Sequence, residues 1–132
     1  MKGVCLFYVF LCLVVMQVMA QSQFQHAWGD QGNGTYINPV LNADYSDPDV
    51  IRVGEKYYMV ASDFHFIGMQ VLESVDLVNW KLISKVYDKF NFPSWEKNER
   101  YAGGSWAPSI RYHDNKFWIF FCTSHEGLFM TT

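Results

Sequence analysis

The chain is poor in cysteine, in basic runs and in clustered histidine, and each shortage closes off a class of proteins. It holds 3 cysteines, of which Cys5 and Cys12 fall in an apolar leader. Cys122 alone remains for the mature chain, so no internal disulfide and no disulfide-stapled scaffold is available. It sits in the apolar run Ile119-Phe120-Phe121-Cys122 and is read as a buried small hydrophobe, not as a nucleophile. Lys and Arg total 10 against 13 Asp and Glu, giving a net charge of −3 with no basic stripe. Nucleic-acid binding therefore has no electrostatic footprint. His65, His113 and His125 are too scattered for a metal site. No CxxC pair, Gly-rich phosphate loop or Ser-His-Asp order is present. No apolar run reaches the ~20 residues that a membrane-spanning helix needs.

What is abundant is aromatic. Phe, Tyr and Trp make up 18% of the residues, as 11 Phe, 8 Tyr and 5 Trp. Aromatics favour β-structure, and their flat faces suit a surface that stacks on sugars or bases. The first 20 residues read as a secretory signal peptide: Met1-Lys2 is a positive start, residues 4–15 are almost continuously apolar, and Val18-Met19-Ala20 offers a cleavage site before Gln21. The mature chain is expected outside the cytoplasm, periplasmic or extracellular, with no membrane attachment after cleavage. Residues 21–35 are polar with three glycines and read as a flexible lead-in.

The folded part is expected over 36–132. Strands are predicted at 50–53, 56–62, 69–74 and 81–86, with Gly54-Glu55 as a tight hairpin turn and Asp76 in a second turn. Four short antiparallel strands in about forty residues fit a β-meander. A long loop follows at 87–104, and loops of that length are uncommon unless functional. Then the opening pattern returns. Ile51-Arg52-Val53 matches Ile110-Arg111-Tyr112, and Lys56-Tyr57-Tyr58-Met59-Val60 matches Lys116-Phe117-Trp118-Ile119-Phe120, at offsets of 59 and 60 residues. His113-Asp114-Asn115 supplies the second hairpin turn, and 127–132 is again strand-like. A four-stranded unit that repeats points to propeller blades. A propeller needs at least four blades, and about one and a half are in view, so the chain is expected to be part of a longer protein.

The most distinctive stretch is the acidic loop Asp44-Tyr45-Ser46-Asp47-Pro48-Asp49. Pro48 fixes its own φ and biases Asp47 towards extended backbone. A stiff carboxylate at the mouth of a sheet suits a general base. The same residues also suit a capped turn with no further role, and the sequence by itself leaves both readings open. Asp49 is the runner-up for base, and Asp44 reads as a solvated loop acid.

An ordered set of motifs resembles glycoside hydrolase family 43. The set runs Asn38-Pro39-Val40-Leu41, Ser46-Asp47-Pro48-Asp49, Arg52-Val53-Gly54, Tyr57-Tyr58 and Ser62-Asp63-Phe64. It continues through Ser74 with Asp76-Leu77 and Asn79-Trp80, Gly103-Gly104-Ser105-Trp106-Ala107-Pro108, and Tyr112-His113-Asp114 with Lys116-Phe117. Each piece alone is weak, whereas the series in register over 36–132 is specific. The resemblance implies an all-β, five-bladed β-propeller of the β-xylosidase and α-L-arabinofuranosidase type, of which the first one and a half to two blades are present.

It further implies an inverting, exo-acting hydrolase, with a carbohydrate substrate from xylose- or arabinose-containing plant polysaccharides or oligosaccharides. Asp47 matches the general base. The general acid Glu and the Asp that tunes it belong to later blades, beyond Thr132. Phe64 matches an apolar wall of the sugar pocket, with ordinary packing as its alternative. Trp106 matches the pocket tryptophan, on a loop that Gly103-Gly104 and Pro108 make irregular and that is expected to face the Asp47 loop, with a core position between blades as its alternative. The reaction needs no cofactor, although some members hold a structural calcium ion in the central channel. The competing readings are a non-catalytic sugar-binding propeller and an inert fragment.

Overall fold

The computed structural model of the chain describes residues 28–90, 103–123 and 126–132. The signal peptide expected at 1–20, and most of the long loop expected at 87–104, lie outside these residues. Two compact units divide after residue 42. The described part of the first, 28–42, is short and local. Gly29 N–H donates to Val40 O at 3.2 Å and Ile37 N–H to Gly29 O at 2.9 Å, and Asp30 bridges Tyr36. Part of the expected lead-in thus carries a closed turn.

Among its described residues, the second unit has seven antiparallel strands. β1 (Asp49–Val53), β2 (Lys56–Val60), β3 (Gln70–Ser74) and β4 (Trp80–Lys85) form one sheet in sequential order. β5 (Ser105–His113), β6 (Lys116–Thr123) and β7 (Gly127–Thr131) form a second. Sequential order is the meander expected from the strand spacing. Both inner hairpins close through two-residue loops, between Val53↔Lys56 and between His113↔Lys116. Gly54 takes φ 61° at the first loop position, whereas Asp114 and Asn115 take 50° and 58°. These are the signatures of the II′ and I′ turns that match strand twist.

The core lies where the two sheets pack. Val60 and Met69 from the first meet Ile110, Ile119 and Phe121 from the second, together with Phe90. The aromatic surplus is spent here: the Tyr58 and Phe117 rings lie 4.7 Å apart, and Phe121 stacks on Phe129 at 5.5 Å. Such a pair adds about 0.5–1.5 kcal/mol beyond its buried area. Asp49 fastens the sheets at their rim, accepting from Ile110 N–H at 2.8 Å and Arg111 Nη1 at 2.6 Å. Cys122 is half-buried, and its Sγ lies 3.8 Å from Trp106 O.

The turn between β3 and β4 is organised by Asp76, as its position suggested. Oδ1 accepts from Val78 N–H at 2.9 Å and Asn79 N–H at 2.7 Å, and Oδ2 from Asn79 Nδ2 at 2.9 Å. Partial burial pushes this carboxyl up, but the bonds from Asn79, Val78 and Ser74 outweigh it and bring the pKa down from 3.8 to about 2. A depressed folded-state pKa contributes stability above the unfolded value and loses it as pH falls through the folded one. Acid unfolding of the full-length protein should therefore steepen between pH 3.8 and about 2. In Asp76→Asn, urea midpoints plotted against pH should flatten over that window. Because the group is solvent-exposed, screening keeps the effect small.

Candidate active site

Asp47 lies two residues before β1, with an exposed side chain. The expectation of extended backbone is corrected: Asp47 has φ 50°, in the left-handed region. The proline rule disfavours right-handed helix for the preceding residue. It does not forbid the left-handed well, which Asp enters more readily than most residues. Two bonds to Ser62 hold the geometry. Ser62 N–H donates to Ser46 O at 2.9 Å, and Ser62 Oγ donates to Asp47 Oδ2 at 2.7 Å. Asp47 Oδ1 accepts nothing among the described residues.

Ser62 and Asp63 follow β2 and join the two sheets. Asp63 N–H donates to Ser105 O at 2.8 Å, and Ser105 N–H returns a bond to Asp63 O at 2.9 Å. One residue back, Ala107 N–H donates to Ser62 Oγ at 2.8 Å. Asp47 and the Trp106-Ala107 backbone therefore flank one serine. The expectation of two facing loops is corrected. Trp106 is not on an irregular loop but inside β5, paired with Cys122. The register slips between Trp106 and Ser109, and Ala107 takes φ 42°. This bulge lets a proline-containing segment stay in a strand. Trp106 is half-buried, and its Nε1 is buried with no acceptor among the described residues.

Phe64 is half-buried and begins the next loop. It lines a cleft of about 240 Å³ with Asp44, Tyr45, Ser62, His65 and Gln70. Asp47 and Trp106 are not among the cleft's lining residues, so Phe64 reaches a space that the other two predicted residues do not border. The loop is fixed by Asp63. Its Oδ2 accepts from Gly68 N–H at 2.7 Å, Met69 N–H at 2.9 Å and Tyr87 OH at 3.0 Å. Burial pushes the Asp63 carboxyl up, but these bonds outweigh it and hold it below its ordinary value. Burial also pushes the Tyr87 phenol up, with Asp63 adding to the shift.

Sequence reasoning missed Ser62 and Asp63 as organising residues. Asp63 left one faint signal, a carboxylate opening a loop that closes on Gly68. The runner-up Asp49 is committed to Arg111 and Ile110, which together outweigh its desolvation and lower its pKa. Asp44 accepts from Ser46 Oγ at 2.6 Å. Among the described residues no three His, Cys, Asp or Glu side chains converge where a metal ion fits, so no ligand for a channel calcium is assigned.

Successive meander sheets, joined through the Asp63–Ser105 bridge and carrying a carboxylate loop before the first strand, are the units of a β-propeller. The sequence model described as Glycosyl hydrolases family 43 matches residues 36–132. A curated protein of Xylanibacter ruminicola is 65% identical over 105 residues, which are 80% of this chain and 19% of that protein. The beta-xylosidase of Formosa agariphila is 41% identical over 110 residues, with the same coverage of 80% and 19%. Among solved structures, a bifunctional GH43-CE protein of Bacteroides eggerthii superposes with a TM-score of 0.62 at 35% identity, over 71% of this chain and 13% of that one. The chain belongs to glycoside hydrolase family 43, and its two sheets are blades of that family's five-bladed β-propeller. It spans 19% of the length of the first two curated relatives.

Proposed function

We propose that this chain carries the base-bearing blades of an inverting glycosidase. Its substrates are xylose- or arabinose-containing plant polysaccharides or oligosaccharides, cleaved from the chain end. One observation carries the reading: Asp47 is an exposed carboxylate with one oxygen held by Ser62 and the other accepting nothing among the described residues. That arrangement suits a group that must take a proton from water. In an inverting enzyme the acid lies ~6.5–9.5 Å from the base, leaving room for that water. A propeller funnel offers facing loops across such a gap, with the acid Glu and the tuning Asp on later blades. Phe64 is read as an apolar wall for the sugar, in the cleft it lines, and Trp106 as the pocket tryptophan, its neighbour Ala107 tied to the base through Ser62. The relatives' names support both sugars, since they include a beta-xylosidase and a non-reducing end alpha-L-arabinofuranosidase of Bacteroides ovatus. The leader supports export, with the sugar polymer met outside the cytoplasm.

The test is the first-formed product of the full-length protein. Aryl β-xyloside and aryl α-L-arabinofuranoside are each supplied, and the released sugar is followed by NMR before mutarotation. The expected result is release from at least one substrate with the anomeric configuration inverted. Retained configuration would remove Asp47's role as a water-activating base. Binding of xylo-oligosaccharide without release would leave a sugar-binding propeller in its place.

A further inference from the structure

The geometry points to Ser62 as a positioning residue that fixes which oxygen of Asp47 does the chemistry. The inference rests on Asp47 being the base. Ser62 is 9% exposed, so its hydroxyl is shielded from competing water. A serine hydroxyl has one proton to give and lone pairs to accept with. Here the proton goes to Asp47 Oδ2 at 2.7 Å, and the lone pairs take Ala107 N–H at 2.8 Å. Because the Ala107 bond occupies an acceptor site, it directs the hydroxyl proton towards Asp47.

The carboxylate is thus pinned through Oδ2 and rotates little about its last torsion, leaving Oδ1 as the proton acceptor for water. The same hydroxyl holds the bulge that carries Trp106. Ala107 sits there at φ 42°, a conformation that costs a non-glycine residue energy and persists only when neighbours enforce it. Ser62 therefore ties the base to the backbone of the Trp106 bulge through one atom. The sequence names it only within the Ser62-Asp63-Phe64 motif, at the end of a predicted strand, and gives it no role of its own.

The experiment is a kinetic cycle in the full-length protein with an aryl glycoside. Ser62→Ala is made alone and in an Asp47→Asn background, with Ser62→Cys as a second variant of similar volume and weak donor strength. Misplacement of a catalytic group by about 1 Å can cost 10²-fold. Ser62→Ala and Ser62→Cys are expected to lower kcat by about 10- to 100-fold, with KM changed less than about threefold. Added to Asp47→Asn, Ser62→Ala is expected to lower the residual rate less than about twofold, because no base remains to be aimed.

Equal losses in both backgrounds would make Ser62 a structural residue only and overturn the inference. So would an unchanged kcat in both single variants, or a loss carried by KM. If Asp47→Asn itself leaves kcat intact, the base reading fails, separately from anything Ser62 does.

Discussion

Replacing Asp47 with asparagine in the full-length protein is expected to lower kcat on an aryl glycoside by about 10²- to 10⁴-fold, the usual contribution of a general base. The substitution keeps size and shape, and asparagine's carbonyl can still accept the Ser62 hydroxyl. What disappears is the ability to take a proton. The loss should fall on kcat, with KM little changed, because the proposed base acts on water in the transition state and not on the bound sugar. Steady-state kinetics with a chromogenic substrate decide it, and undiminished turnover would remove Asp47 from the reaction. Asp49→Asn is the matched comparison. Its carboxylate is already committed to Ile110 and Arg111 across the sheet boundary. That variant should lower the thermal midpoint while largely preserving kcat.

The second large effect is on stability. Gly104 has φ 56°, and a Cβ there would lie far inside van der Waals contact with Asp63 O and Phe64 Cα, and 2.7 Å from the Phe64 carbonyl carbon. All three are backbone atoms, and the first belongs to the Asp63–Ser105 bridge. None can swing aside as a side chain could. Gly104→Ala should therefore cost about 4 kcal/mol or more, in the range reserved for severe steric failures. It is read as a fall in the urea midpoint of the propeller's unfolding transition. Gly54→Ala separates strain from crowding. Its φ of 61° is equally left-handed, but nothing lies within 4 Å of the added carbon. It should cost only the conformational term, about 1–2 kcal/mol. Similar losses at both sites would mean that the Asp63–Phe64 backbone yields to the carbon added at Gly104.

The strands were legible because their alternation is strong. Lys56 to Val60 and Lys116 to Phe120 repeat both the pattern and its Gly or Asx turn, and the structure pairs each with the strand before it. Trp106 was legible as a residue and misplaced as an element. Gly103, Gly104 and Pro108 all signal a loop by local rules, yet a bulge absorbs the proline and keeps β5 running from Ser105. Asp47 was found through its motif, while its backbone was misjudged. The proline rule describes one excluded region, and the bonds from Ser62 select among the others. Those bonds span 15 residues to Asp47 and 45 to Ala107. No window of local sequence contains both ends. Asp63 escaped for the same reason, since its partner Tyr87 is 24 residues away.

The Ala107–Ser62 bond has a consequence for the order of events during synthesis. Asp47 is made early, but the hydroxyl that aims it receives its own anchor from a residue 45 positions downstream of Ser62. Closing a contact at that separation carries a loop entropy that only later packing offsets. A nascent chain ending within the first sheet would hold every atom of the acidic loop and still leave it untrained. The last of the bonds on Ser62 forms when β5 arrives, so on the proposed reading assembly of the second blade completes the aim of the first.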